Sequence, residues 1–142
     1  MSTTCPLCHT TGGELLFQDE KLRVVWVMDE PDYPWFVRVI WQQHVAEMTD
    51  LSQEDRDYLL SWVWKVEQAM RTVATPDKIN LASLGNMVPH LHWHIIARYQ
   101  TDRHFPAPIW APAPDRPYQR PTIDAATREA FTHFIDAKKP LA

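Results

Sequence analysis

The segment His90-Leu91-His92-Trp93-His94-Ile95-Ile96 restricts this chain more than any other. Successive side chains of a strand point to opposite faces, so the three imidazoles share one face while Leu91, Trp93 and Ile95 share the other. At a rise of about 3.3 Å per residue, neighbouring imidazole bases stand ~6.6 Å apart. The apolar partners fix the register, because a slip of one residue would carry three imidazoles into a core. Incidental histidines seldom fall into such a pattern. The segment predicts a half-buried strand from His90 to Tyr99 with a chemically active face.

Such a strand needs neighbours and a covering layer, and the remaining sequence supplies both. Glu14 to Gln18 and Lys21 to Asp29 read as a pair of strands, the second rich in β-branched and aromatic residues. Gly12-Gly13 turns the preceding Cys-x-x-Cys segment into the first of them. The prolines of Glu30-Pro31-Asp32-Tyr33-Pro34 cannot donate ladder hydrogen bonds and mark a loop. Trp35 to Trp41 alternates as a third strand, with Phe36, Arg38 and Ile40 on one side and Trp35, Val37, Val39 and Trp41 on the other.

The clearest helix runs from Ser52 to Thr72, with Ser52 as its cap, Asp55 as capping-box partner and Leu51 as staple. Leu59, Trp62, Val63, Val66, Ala69, Met70 and Val73 keep the spacing of one buried stripe. Leu60 and Trp64 lie off it and suit either a wide core face or a subunit contact. Pro76 ends the segment, and Lys78 to Leu84 is strand-like. Six of the 12 prolines fall between Phe105 and Pro121, an irregular stretch in which Trp110 reads as packing the loop down rather than covering a pocket. A last helix from Asp124 to Asp136 turns Phe131, Phe134 and Ile135 inward. The order βββ–α–ββ–loop–α implies an α+β fold, an antiparallel sheet with helices on one face.

Composition narrows the function. The chain of 142 residues fits a single domain and can bury a core without disulfides. Its net charge of −4, with no cluster of Lys and Arg, argues against a nucleic-acid partner. No apolar run approaches the roughly 18 residues of a membrane span, and Met1-Ser2-Thr3-Thr4 lacks the parts of a signal peptide. The expectation is a soluble, cytoplasmic protein whose two cysteines, Cys5 and Cys8, stay thiols or metal ligands.

On chemistry alone the histidine strand supports two readings. It could hold a metal that activates water, since His-x-His pairs often bind ions. Alternatively, one imidazole attacks phosphorus while its neighbours orient it and bind the phosphate. An imidazole with a pKa near 6.5 is largely neutral, hence nucleophilic, at pH 7.

Residues 90–96 resemble the His-φ-His-φ-His-φ-φ signature of the histidine triad (HIT) superfamily at every position. The similarity runs from the Cys-x-x-Cys segment to Tyr99, through Phe36 to His44 and Asp50-Leu51-Ser52. It implies an antiparallel sheet of about five strands with two helices, assembled as a homodimer by edge-strand pairing. It also implies a nucleotide substrate attacked at its α-phosphate, either a nucleoside phosphoramidate or a dinucleoside polyphosphate. By this resemblance His92 is the nucleophile that forms a nucleotidyl-histidine, held in one tautomer by a main-chain carbonyl. His94 donates to the phosphate, and His90 completes the triad. Asn86 is a phosphate-side donor, Asn80 a polar contact near the nucleotide, and Met28 and Asp29 match the ribose-contacting segment.

Three departures stand out. Phe36 takes a place where many relatives carry histidine, Trp41-Gln42-Gln43 replaces the usual Pro-Lys before His44, and Asn86 stands where Gln is common. They bear on leaving group and nucleotide contacts rather than on the triad. A nucleotide-binding dimeric scaffold with little catalysis and a strand-histidine metallohydrolase are the competing functions.

Cys5-Pro6-Leu7-Cys8 on its own fits buried thiols, a redox pair or half of a metal site. Similarity to several HIT relatives implies a structural zinc on Cys5, Cys8, His44 and His90. A full set of four protein ligands leaves no open position. His9, His104 and His133 read as surface residues, while Arg98 either steers phosphate or lies on a solvated face.

Overall fold

The computed structural model describes residues 4–136. The expectation about a leader rests partly on residues 1–3, which lie outside that range. In chain order the elements are α1 (Pro6–His9), β1 (Glu14–Gln18), β2 (Leu22–Trp26), β3 (Phe36–Trp41), α2 (Gln53–Ala74), β4 (Lys78–Ala82), β5 (His92–Arg98) and α3 (Ala125–Asp136). A single 3₁₀ turn at Met48–Asp50 leads into α2. The strands form one antiparallel sheet in the order β1-β2-β3-β5-β4.

Alternation sorts the two faces. Leu22, Val24, Trp26, Val37, Val39, Leu91, Ile95 and Ala97 pack against Leu59, Trp62, Val63, Val66, Ala69 and Met70 of α2 and Phe131 and Ile135 of α3. Both long helices therefore cover the same face. Trp26 and Trp35 stack at 5.2 Å, and Phe131 meets Trp26 edge-on at 5.0 Å, which fastens α3 to the sheet. Ser52 caps α2 by accepting from the Asp55 N–H at 3.2 Å, as its sequence position predicts. Lys65 is buried in α2 with its ammonium 4.8 Å from the centre of the Trp62 ring, outside the apolar stripe read from the sequence. Leu60 packs on the margin of the core, whereas Trp64 is exposed.

The opposite face is covered differently. The N-terminal segment lies over Val25 and Ile40 through Cys5 and Leu7. Arg23, almost fully buried, pins that segment: it donates to the carbonyls of Leu7 (2.6 Å), Thr10 (3.0 Å) and Thr11 (3.0 Å) and to Gln42 Oε1 (2.6 Å). A Cβ on Gly13 would run into the Trp26 carbonyl, so only glycine admits the segment to β1 at this point. Val27, Tyr33, Phe36, Ile96 and Ile109 form a small apolar cluster at the other end of this face. Between the two clusters the sheet carries its polar residues.

Candidate active site

The strand β5 begins at His92 rather than at His90, and the two-residue difference decides the arrangement. His90 precedes the ladder and is fully buried, with its Nε2–H donating to the Trp41 carbonyl at 2.6 Å. That bond leaves Nδ1 as a lone pair. It faces Cys5 Sγ at 3.4 Å, Cys8 Sγ at 3.5 Å and His44 Nδ1 at 3.2 Å, and His44 Nδ1 lies 3.3 Å from Cys8 Sγ. The four donor atoms all fall within 4.8 Å of one another. Two soft sulfurs and two ring nitrogens so placed form a ligand cage that could hold a metal ion. The reading of Cys5, Cys8, His44 and His90 as one group is thus met in space.

His92 and His94 remain on the strand, on one face. Their rings are 4.8 Å apart between centroids and nearly perpendicular at 86°, closer than the strand rise alone implies because the rings lean together. His92 Nδ1–H donates to the His90 carbonyl at 2.5 Å, so the free lone pair is on Nε2. Burial lowers the His92 pKa, the carbonyl bond opposes that, and the charges of Arg38 and His90 add to the lowering. Burial, with the charges of His92 and Arg38, takes His94 down to about 3. Both shifts favour the neutral imidazole.

The surroundings of His94 bring in Arg38, which had no expected role, beside Phe36 and Trp110. Arg38 stands directly across from it in the β3–β5 ladder, and the Arg38 Nε–H donates to His94 Nδ1 at 3.4 Å. The Phe36 ring meets His94 edge-on at 5.4 Å and also lies 5.2 Å from the Arg38 guanidinium carbon. Trp110 meets His94 from the irregular segment at 5.2 Å and is half exposed, so it covers the site, where the sequence favoured mere packing of the loop. The only signal for Arg38 was a charged residue in an otherwise apolar strand.

Arg98 fits neither of its two readings. It is buried in a two-point ion pair with Asp102, at 2.7 and 3.1 Å, and donates also to Asn80 Oδ1 (2.8 Å) and the Ala107 carbonyl (2.7 Å). Asn80 therefore sits on the histidine face with its oxygen engaged. His104 is half-buried rather than fully on the surface, with its Nδ1 2.5 Å from the Tyr33 hydroxyl. His9 and His133 are exposed. Asn86, Met28 and Asp29 are exposed on the loops after β4 and β2, and among the described residues none of them is hydrogen-bonded to His92 or His94.

The family model for the HIT domain matches residues 13–101, from the turn before β1 to just past β5. A histidine triad protein from Bradyrhizobium japonicum superimposes with a TM-score of 0.67 at 27% identity, covering 88% of this chain and 90% of that one. Another from Marinobacter aquaeolei gives 0.67 at 28% identity, over 89% and 88%. A Schizosaccharomyces pombe protein named bis(5'-nucleosyl)-tetraphosphatase (asymmetrical) is 33% identical over 95 residues, 63% of this chain. The match spans only about half of that relative's length, 52%.

Proposed function

The chain belongs to the HIT-domain family, and on that premise we propose that it is a nucleotide hydrolase or nucleotidyl transferase whose nucleophile is His92. The observation that carries this reading is the His92–His90 carbonyl bond, which leaves the Nε2 lone pair free beside a neutral His94. Nε2 attacks the α-phosphorus, and the bond from phosphorus to the leaving group breaks with its electron pair going to that group. Water then attacks the nucleotidyl-histidine, the P–N bond returns its pair to Nε2, and a nucleoside monophosphate departs. His94 donates its ring N–H to the phosphate, where charge develops. Asn86 donates to the phosphate, Asp29 with Met28 borders the ribose, and Asn80 contributes its amide N–H₂, because its oxygen is held by Arg98. The name of the fission-yeast relative favours dinucleoside polyphosphates over phosphoramidates.

His90, His92 and His94 do not form a common ligand set, because both His90 ring nitrogens face other partners. This weakens the metallohydrolase reading. The metal cage is better read as structural zinc. Four of the six donor separations, at 3.2–3.5 Å, are close to the edges of a tetrahedron built from metal–N distances of about 2.0–2.1 Å and metal–S distances of about 2.3 Å, and all six lie within 4.8 Å. Zinc there would tie the N-terminal segment to the residue that orients His92. We take the whole chain as one such domain, acting as a homodimer in the reducing cytoplasm.

The test is release of AMP from diadenosine tetraphosphate and from adenosine phosphoramidate by wild type and His92→Asn. We expect the variant to lose at least about 10⁴-fold in rate while still binding nucleotide. Near wild-type turnover by His92→Asn would remove His92 as nucleophile. Nucleotide binding without turnover by the wild type would leave the scaffold reading.

A further inference from the structure

The strongest unexplained feature of the site is a cation. Arg38 is the one charged residue of β3 and is half-buried on the histidine face, where its strand neighbours on that face, Phe36 and Ile40, are apolar and buried. It lies mid-row across the sheet, between Val25 and His94, with Ala82 beyond. Among the described residues no carboxylate comes within ion-pair distance of it; Asp29 and Glu30 reach it only through their charge. A guanidinium set among apolar side chains without a counter-charge is costly unless something anionic meets it. Its contacts are a neutral imidazole and the face of Phe36, the residue that replaces the histidine common in relatives. Phe36 touches both Arg38 and His94 and so holds the two in one orientation.

Granted that His92 attacks a nucleotide α-phosphate, we propose that Arg38 binds the substrate's phosphate chain and fixes His94 as its Nε2–H tautomer. The Arg38 Nε–H directed at His94 Nδ1 requires a lone pair there, which leaves the His94 proton on Nε2, free to donate. A His94 that stays uncharged cannot neutralise a phosphate chain, so the fixed positive charge comes from Arg38. The terminal nitrogens of the guanidinium form a fork suited to two phosphate oxygens. The substrate class follows: chains of several phosphates gain more from this cation than a single phosphorus centre does.

The experiment compares wild type, Arg38→Met and Arg38→Lys, each verified as folded by its thermal transition. Arg38→Met is expected to lower kcat/KM for diadenosine tetraphosphate by about 100-fold and for adenosine phosphoramidate by about 10-fold or less. Arg38→Lys restores part of the tetraphosphate rate through its charge. In ¹⁵N-histidine spectra both variants lose the single His94 tautomer, which a merely structural role would leave in place. Binding is read separately, as the ratio of ATP to AMP affinity in His92→Asn with and without Arg38→Met. An unchanged ratio together with an unchanged His94 tautomer overturns the role of Arg38 and leaves the nucleophile untouched. Turnover that survives His92→Asn overturns the nucleophile instead, and the affinity ratio still decides Arg38. If Arg38→Met does not fold, Arg38→Lys decides by the tautomer signal alone.

Discussion

Asp102 shows how one carboxylate can shape a site it never touches. Burial pushes its pKa up, but the Arg98 guanidinium and the N–H groups of Tyr99 and Phe105 outweigh burial and hold it below the usual aspartate value. Its pKa is lower folded than unfolded, so this contribution is complete above about pH 4 and is lost as pH falls through the folded value. Asp102→Asn leaves Arg98 buried without a counter-charge and is expected to cost about 3–5 kcal/mol. Urea titrations from pH 3 to 7 measure that loss and should show a weaker acid dependence in the variant. A variant as stable as wild type would refute the account. At this scale the sequence was legible where local alternation decides a side chain's direction, as for His92 and His94. It was silent where the partner is remote in sequence. The acceptors of Arg98 include Asn80, and Arg38 meets His94 across 56 positions, so neither environment can be read from neighbours.

Among the elements, α2 and the strands followed from periodicity and capping, which are local. The one-turn helix α1 did not. It carries no side-chain cap, and Arg23 and the small Cys5–Leu7 cluster hold it in place, so tertiary contacts create it. The start of β5 was misplaced for a related reason: His90 is drawn out of the ladder toward the cysteines and Trp41. This ties the cluster of Cys5, Cys8, His44 and His90 to the element beside it. Cys5→Ser is expected to abolish stoichiometric zinc and to lower stability by about 4 kcal/mol, the linkage expected when free metal stands near a thousandfold over its Kd. Metal analysis of freshly purified protein and thermal unfolding with and without chelator check this. Metal-free wild-type protein with an unchanged transition would remove the zinc. Activity should fall less than stability, since Arg23 keeps most of the segment in place.

For the whole molecule, the sheet order leaves β1 and β4 as edges, and α3 packs beside β1. Just past β4, Leu84 is half exposed and Met87 is 95% exposed. If two copies pair as proposed above, the β4 edge with these two side chains is where they are expected to join. Sedimentation equilibrium should give a dimer at micromolar concentration, and Leu84→Glu with Met87→Glu should give a folded monomer. A wild-type monomer would rule the assembly out. The α+β plan and the shared helical face were readable from the sequence, whereas the routing of the irregular segment over His94 depends on the buried Arg98–Asp102 pair. The span between Cys5 and His90, 85 positions, also has a consequence for synthesis. A chain made from its N-terminus presents both thiols early, but the later of their two imidazole partners, His90, emerges only after most of the sheet. Until β5 docks, the cysteines travel with the nascent chain uncovered, so an oxidant acting during translation would find its target before the fold can shield it.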